Sequence, residues 1–493
     1  AGVITATSYA GSGANLTGLG ATIMIWEYNP DVSDMSVPFD TGIGITFNQK
    51  IKAGSGNITL REDSASGTVV ENFGIGSSVT ISNNSLSLTP TSDLSEAQVY
   101  HLSYPSGVIT NMAGESYVGT AYTFKSLAYD YKLYAWGGNG PGSLGQNNRT
   151  SSNSPVQIVG TTWSKIRIGS HERCATLALK NDGTMWSWGY NVDGQTGQNG
   201  ANPAMYAVSS PTQLPGTTWS NNFCGGKASV AVKTDGTLWC WGNNSTGSLG
   251  QNNKTQYSSP VQVGSDTTWS TTYDQCAGGG DSAVFAIKTD GTLWGIGKNG
   301  DGELGQGNLT KRSSPIQIPG TTWKHVDNGY SSTFAIKTDG TLWSWGWNNW
   351  GNLGQNNRTY YSSPKQIPGT DWSKVRSSHY YAMALKTDGT LWSWGRGNWG
   401  SGAYNISGSN AHRSSPVQVP GTTWNNIAQG NNHVNFQTRT DGTLWAWGNN
   451  QNGQLGQGNN TQYSSPVQIP GTDWNYALAA VDSTGYAIQK VEP

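Results

Sequence analysis

The chain has 493 residues, a formal net charge of −1 and only 12% charged residues. Gly 67 and Trp 23 with 34% hydrophobic residues describe a chain of turns and stacked indoles that can still bury a sizeable core at this length. No apolar run is long enough to cross a membrane, and no cation run is dense enough to track a phosphate backbone.

Residues 1–26 read as an extended linker or attachment segment. They carry neither a basic leader nor an apolar stretch of signal-peptide length. The run Gly2-Val3-Ile4-Thr5-Ala6-Thr7-Ser8-Tyr9 is similar to the Gly-x-Ile-Thr-Ala-Thr-Ser-Tyr repeats in virion fibre proteins of tailed phages of marine cyanobacteria. Ala1 fits either Met removal or cleavage of a longer precursor.

Residues 27–126 alternate short apolar runs with Gly, Asn and Ser turns, the pattern of a β-sandwich of about 100 residues. The carriers are Val37-Pro38, Ile45-Thr46-Phe47-Asn48, Gly56-Asn57-Ile58-Thr59-Leu60, Leu86-Ser87-Leu88-Thr89-Pro90, and Gly107-Val108-Ile109 with Met112-Ala113-Gly114. These residues resemble the bacterial Ig-like domain of S-layer proteins and adhesins. The resemblance implies a spacer that presents other domains. Asn111 and Glu115 stand where that family has Asp and Asn, which counts against a metal role for the turn.

Residues 127–493 are a ring of repeats. A strand of the form Leu-Trp-Ser-Trp-Gly occurs seven times, at 133–137, 185–189, 238–242, 293–297, 342–346, 391–395 and 444–448. The spacings of 52, 53, 55, 49, 49 and 53 residues suit a four-stranded propeller blade. Each anchor after the first is preceded by an apolar strand and an Asp-Gly-Thr turn, where Asp-Gly favours a tight hairpin. It is followed by Asn-x-x-Gly-x-Leu-Gly-Gln-x-Asn, then Ser-Ser-Pro-x-Gln-Ile with Pro at the strand entry. Pro-Gly-Thr-Thr-Trp completes the period, with Trp163, Trp219, Trp269, Trp323, Trp372, Trp424 and Trp474. Strand A follows this Trp, B is of the Thr-Phe-Ala-Ile type, C is the anchor, and D is Pro-Val-Gln-Ile.

The signature Trp345-Gly346, Asn348, Gly351, Leu353, Gly354 resembles the regulator of chromosome condensation repeat, and that family implies a seven-bladed propeller. The fold class expected is therefore all-β, a seven-bladed β-propeller behind an N-terminal Ig-like β-sandwich. Departures are the Gly-x-x-His before strand B, kept only at Gly430 to His433, and Gly295-Ile296 in place of Ser-Trp. The chain enters at strand C and ends on an apparent strand B, so residues 474–490 are expected to close the ring against 132–158. Entry and exit then share the Asp-Gly face, where the Ig-like domain would attach.

Charge is uneven. Residues 1–126 carry 4 Lys+Arg and 10 Asp+Glu, and the remainder 24 and 19, or +5 by difference. A propeller this weakly cationic argues against nucleic-acid or chromatin binding by family analogy. Cys174, Cys224, Cys240 and Cys276 lack zinc-site spacing; they read as structural thiols, with a Cys224 to Cys276 disulfide left open. Asn299-Gly300-Asp301-Gly302-Glu303 has alternating oxygens but lacks the first Asp and distant Glu of a calcium loop. The six histidines are scattered along the chain, and no nucleophile elbow or phosphate loop appears. The expectation is a non-enzyme without metal or cofactor.

Antiparallel order A-B-C-D places the A–B and C–D loops on one face. The opposite face is monotonous, whereas this one varies, with long C–D loops at 190–210 and 396–415. Varied loops on a fixed scaffold are candidate binding elements. Trp347, Trp350 and Trp399 in C–D loops and Tyr330, Tyr380 and Tyr381 in A–B loops are aromatics the blade pattern does not demand. With Asn349 and Asn398 they form the candidate ligand-binding set, since flat rings stack on sugars while amides bond hydroxyls.

The reading is a virion tail-fibre, appendage or cell-surface structural protein, located on the virion or outside the cell. Its N-terminal region would meet other virion or surface proteins, and its distal face a host surface glycan or protein. An oligomer is compatible with this, and membrane insertion is not expected. The alternative is a secreted bacterial inhibitor or adaptor acting by protein–protein contact. A guanine-nucleotide exchange factor fits the composition least.

Overall fold

The computed structural model describes residues 23–31, 37–38, 41–117, 122–168, 173–199, 207–278, 283–402, 412–429, 433–481 and 483–491. Strands account for nearly all regular structure, and among the described residues no helix is long and apolar enough to cross a membrane. Two compact units emerge, 1–129 with 492–493, and 130–491.

In the first unit, strands Ile25–Asn29, Ile43–Phe47, Ser85–Leu88 and Val79–Ser82 form one sheet, in that order. Tyr122–Lys125, Val99–Ser103, Asn57–Glu62 and Val69–Gly74 form a second. Strict alternation of buried and part-exposed residues along Ile43–Phe47 and Val99–Ser103 is what turns a period of two into one apolar face per sheet. Those faces meet in a core of Ile45, Phe47, Leu60, Phe73, Tyr100, Leu102 and Phe124. The Met112-Ala113-Gly114 turn is closed by a reciprocal pair: Asn111 Nδ2 donates to Glu115 Oε2 at 2.8 Å and Glu115 N to Asn111 Oδ1 at 2.9 Å. The two residues singled out in the sequence thus satisfy each other.

The second unit is a propeller of four-stranded antiparallel sheets, seven of them among the described residues. We number the sheets by the order of their C strands. The fifth is the type, with A at Trp323–Asn328, B at Ser332–Lys337, C at Leu342–Gly346 and D at Tyr361–Ile367. The first is composite. Its C strand Asp130–Gly137 lies between Ser152–Gln157 and the C-terminal Thr484–Val491, which in turn pairs with Trp474–Val481. Asp130 faces Val491 and Gly137 faces Thr484, a register unbroken over eight residue pairs.

Three local devices explain the repeat. In the turn between B and C, Asp339 Oδ1 accepts from Thr341 N at 2.9 Å and Thr341 Oγ1 at 2.7 Å, and Thr341 Oγ1 accepts from Trp343 Nε1 at 2.9 Å. The hydrogen bonds hold the Asp339 carboxyl below its usual range. Gly340 is required there: its φ is +78, and a Cβ would lie 1.9 Å from Thr370 O. Lys337 Nζ then covers the rings of Trp323 and Trp343 at 4.9 and 4.7 Å.

The second device is the C–D loop. Asn348 Oδ1 accepts from Leu353 N at 2.8 Å while its Nδ2 donates to Asn357 O and Thr359 O. One buried amide thus replaces the backbone ladder that a loop lacks.

The third device joins neighbouring sheets. The second Trp of each C strand donates Nε1 to a carbonyl in the preceding sheet's C–D loop: Trp188 to Ser143, Trp241 to Gln195, Trp345 to Glu303, Trp394 to Asn352, Trp447 to Ser401. Trp136 donates to Gln454 at 2.8 Å across the first and seventh sheets. In the fourth sheet Ile296 occupies this place, buried without a donor. Gly305 and Gly354 leave the room these indoles need, since a Cβ there would meet Trp345 or Trp394 Nε1 at 3.0 and 2.9 Å.

The A strands converge on the propeller axis, and there the molecule buries charge. Arg167 of the second sheet contacts Asp274 and, from the fifth sheet, Asp327, each at 3.3 Å. Arg376 of the sixth sheet donates to Asp274, and Asp327 Oδ2 accepts from Ser377 N and Oγ, both at 2.7 Å. Arg376 and Arg167 overcome the effect of burial and hold the Asp274 carboxyl far below the usual range. His325 completes the cluster, with Nε2 2.8 Å from Val375 O.

One inner strand departs from the sequence expectation. In the fourth sheet strand A does not follow Trp269 directly but runs Cys276–Gly278. The chain between them carries Asp274 at φ +68 to the axis. Cys224 ends one inner strand and Cys276 begins the next; all four thiols are buried and none is in a disulfide, so the bond left open between these two does not form.

Candidate functional site

The A–B and C–D loops of the fifth, sixth and seventh sheets assemble an aromatic basket around Tyr380. His379 lies at its back, stacked on Tyr330 at 3.9 Å and 19° and on Tyr380 at 3.9 Å and 24°. Trp347 stands 5.7 Å and Trp350 6.4 Å from the Tyr380 ring. His412 tilts against Trp350 at 4.9 Å, and His433 lies parallel to Tyr380 at 6.5 Å. Arg396 enters from the C–D loop of the sixth sheet, its guanidinium 4.8 Å from Trp350 and 4.9 Å from Tyr380. Its backbone N donates to Tyr380 O at 2.9 Å, which fixes the Arg-bearing loop to the Tyr-bearing one.

Of the residues singled out in the sequence, Tyr330, Tyr380, Trp347 and Trp350 come together here. Asn349 is exposed in the same loop as the two indoles. Tyr381 is a correction. It begins strand Tyr381–Lys386, is 2% exposed, and donates its hydroxyl to Val434 O at 3.1 Å, because alternation along the strand turns it inward when Tyr380 faces out. Asn398 is a second correction: with its amide oxygen facing Arg396 it accepts from Nη2 at 2.9 Å and Nε at 3.0 Å, so it holds the guanidinium rather than offering a free amide. Trp399 sits in a 3-10 turn, Asn398–Gly400, and its side chain lies outside the described residues. So do residues 200–206 and 403–411 of the two long loops.

Sequence reasoning missed His379, His412, His433, Arg396 and Tyr360. Three of the six histidines, far apart in the chain, meet in one place. The available signal was positional: His433 holds the place before strand B, Tyr380 holds the same place one repeat earlier, and His379 adjoins it. Tyr360, 40% exposed, packs edge-on to Trp347 at 6.3 Å. The aspartate of the Asn299 loop is near, but Lys298 takes up its charge at 3.5 Å and that of Glu303 at 3.3 Å. Among the described residues no group of three His, Cys, Asp or Glu is placed to hold a metal ion.

Burial, then the Arg396 charge, pushes the His433 imidazole down to about 3. Burial, partly opposed by Asp274, pushes His325 at the axis down to about 4. Both rings are therefore neutral at neutral pH, and His433 stacks on its tyrosine neighbours as an uncharged group. A histidine whose folded pKa is depressed gives stability that is complete above its unfolded pKa of about 6.5 and lost as pH falls towards the folded value. Urea midpoints should fall between pH 7 and pH 4.5, and His433→Asn should flatten that slope; an unchanged slope would mean that the imidazole is not buried in solution.

Comparison with known proteins agrees with this architecture. Residues 235–285, 290–336, 339–385 and 441–480 match the Regulator of chromosome condensation (RCC1) repeat, and residues 22–126 match the bacterial Ig-like domain. The human "Probable E3 ubiquitin-protein ligase HERC6" is 31% identical over 196 residues, 38% of this chain and 19% of that protein. The Arabidopsis thaliana "Ultraviolet-B receptor UVR8" is 28% identical over 193 residues, 39% and 43% respectively. The chain thus spans less than half the length of these relatives. Among solved structures, human WBSCR16 aligns with a TM-score of 0.61 at 18% identity, covering 73% of this chain and all of that one. Prp20p from Saccharomyces cerevisiae aligns equally well over 74% and 92%. RCC1 repeats are found within the propeller of the second unit, and a bacterial Ig-like domain in the first.

Proposed function

We propose that this chain is a non-enzymatic recognition protein whose propeller presents the A–B and C–D loop face to a surface macromolecule, a glycan or a protein. The observation that carries this is the basket around Tyr380: Tyr, Trp and Arg side chains from two consecutive sheets, the fifth and sixth, gathered where the repeat does not call for them. These are the residue types that concentrate binding energy. The Ig-like unit serves as spacer. A virion appendage or cell-surface protein is the setting that the N-terminal segment, similar to phage fibre repeats, suggests for it.

A second reading is an adaptor that binds another protein. It is favoured by the likeness to Prp20p, a propeller with binding properties to Gsp1p and histones. Both readings place the work in contacts rather than catalysis.

The test separates the loop face from the scaffold. Trp350→Ala should weaken binding to cells or isolated surface material by about tenfold, the effect of losing about 1.4 kcal/mol, with little change in melting. Trp345→Ala, a clamp residue, should instead cost about 3–5 kcal/mol of stability. Equal binding by wild type and Trp350→Ala would reject the face as the recognition site.

A further inference from the structure

We propose that the basket around Tyr380 takes an anionic saccharide, with Arg396 meeting its negative charge and the rings of Trp350 and Tyr380 bordering the sugar. This rests on the recognition reading above and narrows its ligand class. Arg396 is built like a ligand-reading group rather than a structural one. Asn398 orients its Nε and Nη2, two rings flank it, and among the described residues no carboxylate pairs with it. The contrast with the axis is direct, since there each buried guanidinium has two carboxylate neighbours.

The surroundings keep the local potential positive. Arg358, Arg413 and Arg396 all act on His412, whose own pKa is lowered by burial first and by these cations second. The acid Asp301 acts on Tyr360 but is paired with Lys298 at 3.5 Å. His379 and His412 add flat surface. A guanidinium edge matches the two oxygens of a carboxylate or the face of a phosphate, and adjoining aromatic faces suit the C–H face of a pyranose. An acidic peptide would satisfy Arg396 but would make less use of ring faces arrayed on both sides of it.

Calorimetry with two probes of equal length decides the matter: an oligogalacturonate, with one carboxylate per ring, and a neutral malto-oligosaccharide. Wild-type protein should bind the acidic probe at least tenfold more tightly at low salt, and the difference should shrink as salt rises. Arg396→Gln should remove the preference, and Arg396→Lys, which keeps the charge without the fork, should retain part of it. The wild-type salt series needs no variant, so a misfolded Arg396→Gln does not rescue the idea. Equal binding of both probes, with loss of both in Trp350→Ala, would overturn the charge preference and leave the recognition face intact. Binding of neither probe, with binding of a polyglutamate peptide instead, would overturn the saccharide assignment. Binding of the acidic probe unchanged in Arg396→Gln would do the same.

Discussion

Asp274→Ala is expected to lower the stability of the propeller unit by about 3–5 kcal/mol, because it leaves buried guanidinium groups without their counter-charge. Asp274 touches Arg376, Arg167 and His325, and is 7% exposed at the convergence of the inner strands. Burial holds His325 neutral, and removing this carboxylate leaves Arg167 and Arg376 with Asp327 alone, beside the further cations Lys165 and Lys374 that Asp274 also attracts. Pairing the change with Arg376→Met should recover part of the loss, since deleting both partners costs less than orphaning one. Denaturant titration of the four proteins of this cycle measures the coupling. A loss below about 1 kcal/mol for the single variant would show that water reaches the axis and screens the charges.

Deleting residues 474–491 should have a larger effect: loss of the cooperative unfolding transition of the propeller. The deletion strips two strands from the first sheet, including the eight-pair register between 130–137 and 484–491, and leaves Asp130–Gly137 with an open edge. It also removes Tyr486, buried against Trp188, whose hydroxyl reaches Ser143 O and Thr176 Oγ1. Near-ultraviolet circular dichroism, dominated here by the indoles, would follow the transition. A truncated protein that melts as sharply as the full chain would mean that closure contributes nothing to cooperativity.

How far the sequence disclosed this molecule depended on whether the informative residues repeat. Strand C, the Asp-Gly-Thr turn and the Asn of the C–D loop recur every 49 to 55 residues, so their roles could be read from spacing. The axis does not recur: Arg167, Asp274, Asp327 and Arg376 lie in four different sheets and look like isolated surface charges in a linear string. One hint existed. The 55-residue interval before Leu293 is the longest, and its extra length falls between Trp269 and Cys276, where the chain carries Asp274 inward.

The candidate site was legible in the same uneven way. Trp347 and Trp350 stood out because the repeat does not require them. Tyr380 and Tyr381 looked equivalent as neighbours, but strand alternation sends one to the loop face and the other into the core. Asn398 looked like a free amide until Arg396, two residues earlier, folded back onto it. The meeting of the histidines was harder to read, since residues 379 and 412 lie in different loops of the sixth sheet and 433 in the seventh, and Trp350 and Tyr380 link them only once neighbouring sheets sit side by side.

The Trp to carbonyl link from each sheet to the one before makes the propeller a closed chain of nearest-neighbour couplings, the circular counterpart of a one-dimensional Ising array. In such a ring no repeat is terminal, and a defect anywhere is felt by two neighbours. The coupling is not uniform, because Ile296 substitutes dispersion for the indole hydrogen bond at the boundary between the third and fourth sheets. That boundary keeps the backbone contact from Asn252 N to Ser313 O at 2.9 Å and lacks the clamp. It is the seam at which thermal opening of the ring should nucleate, separate from the sheet that the C-terminus closes.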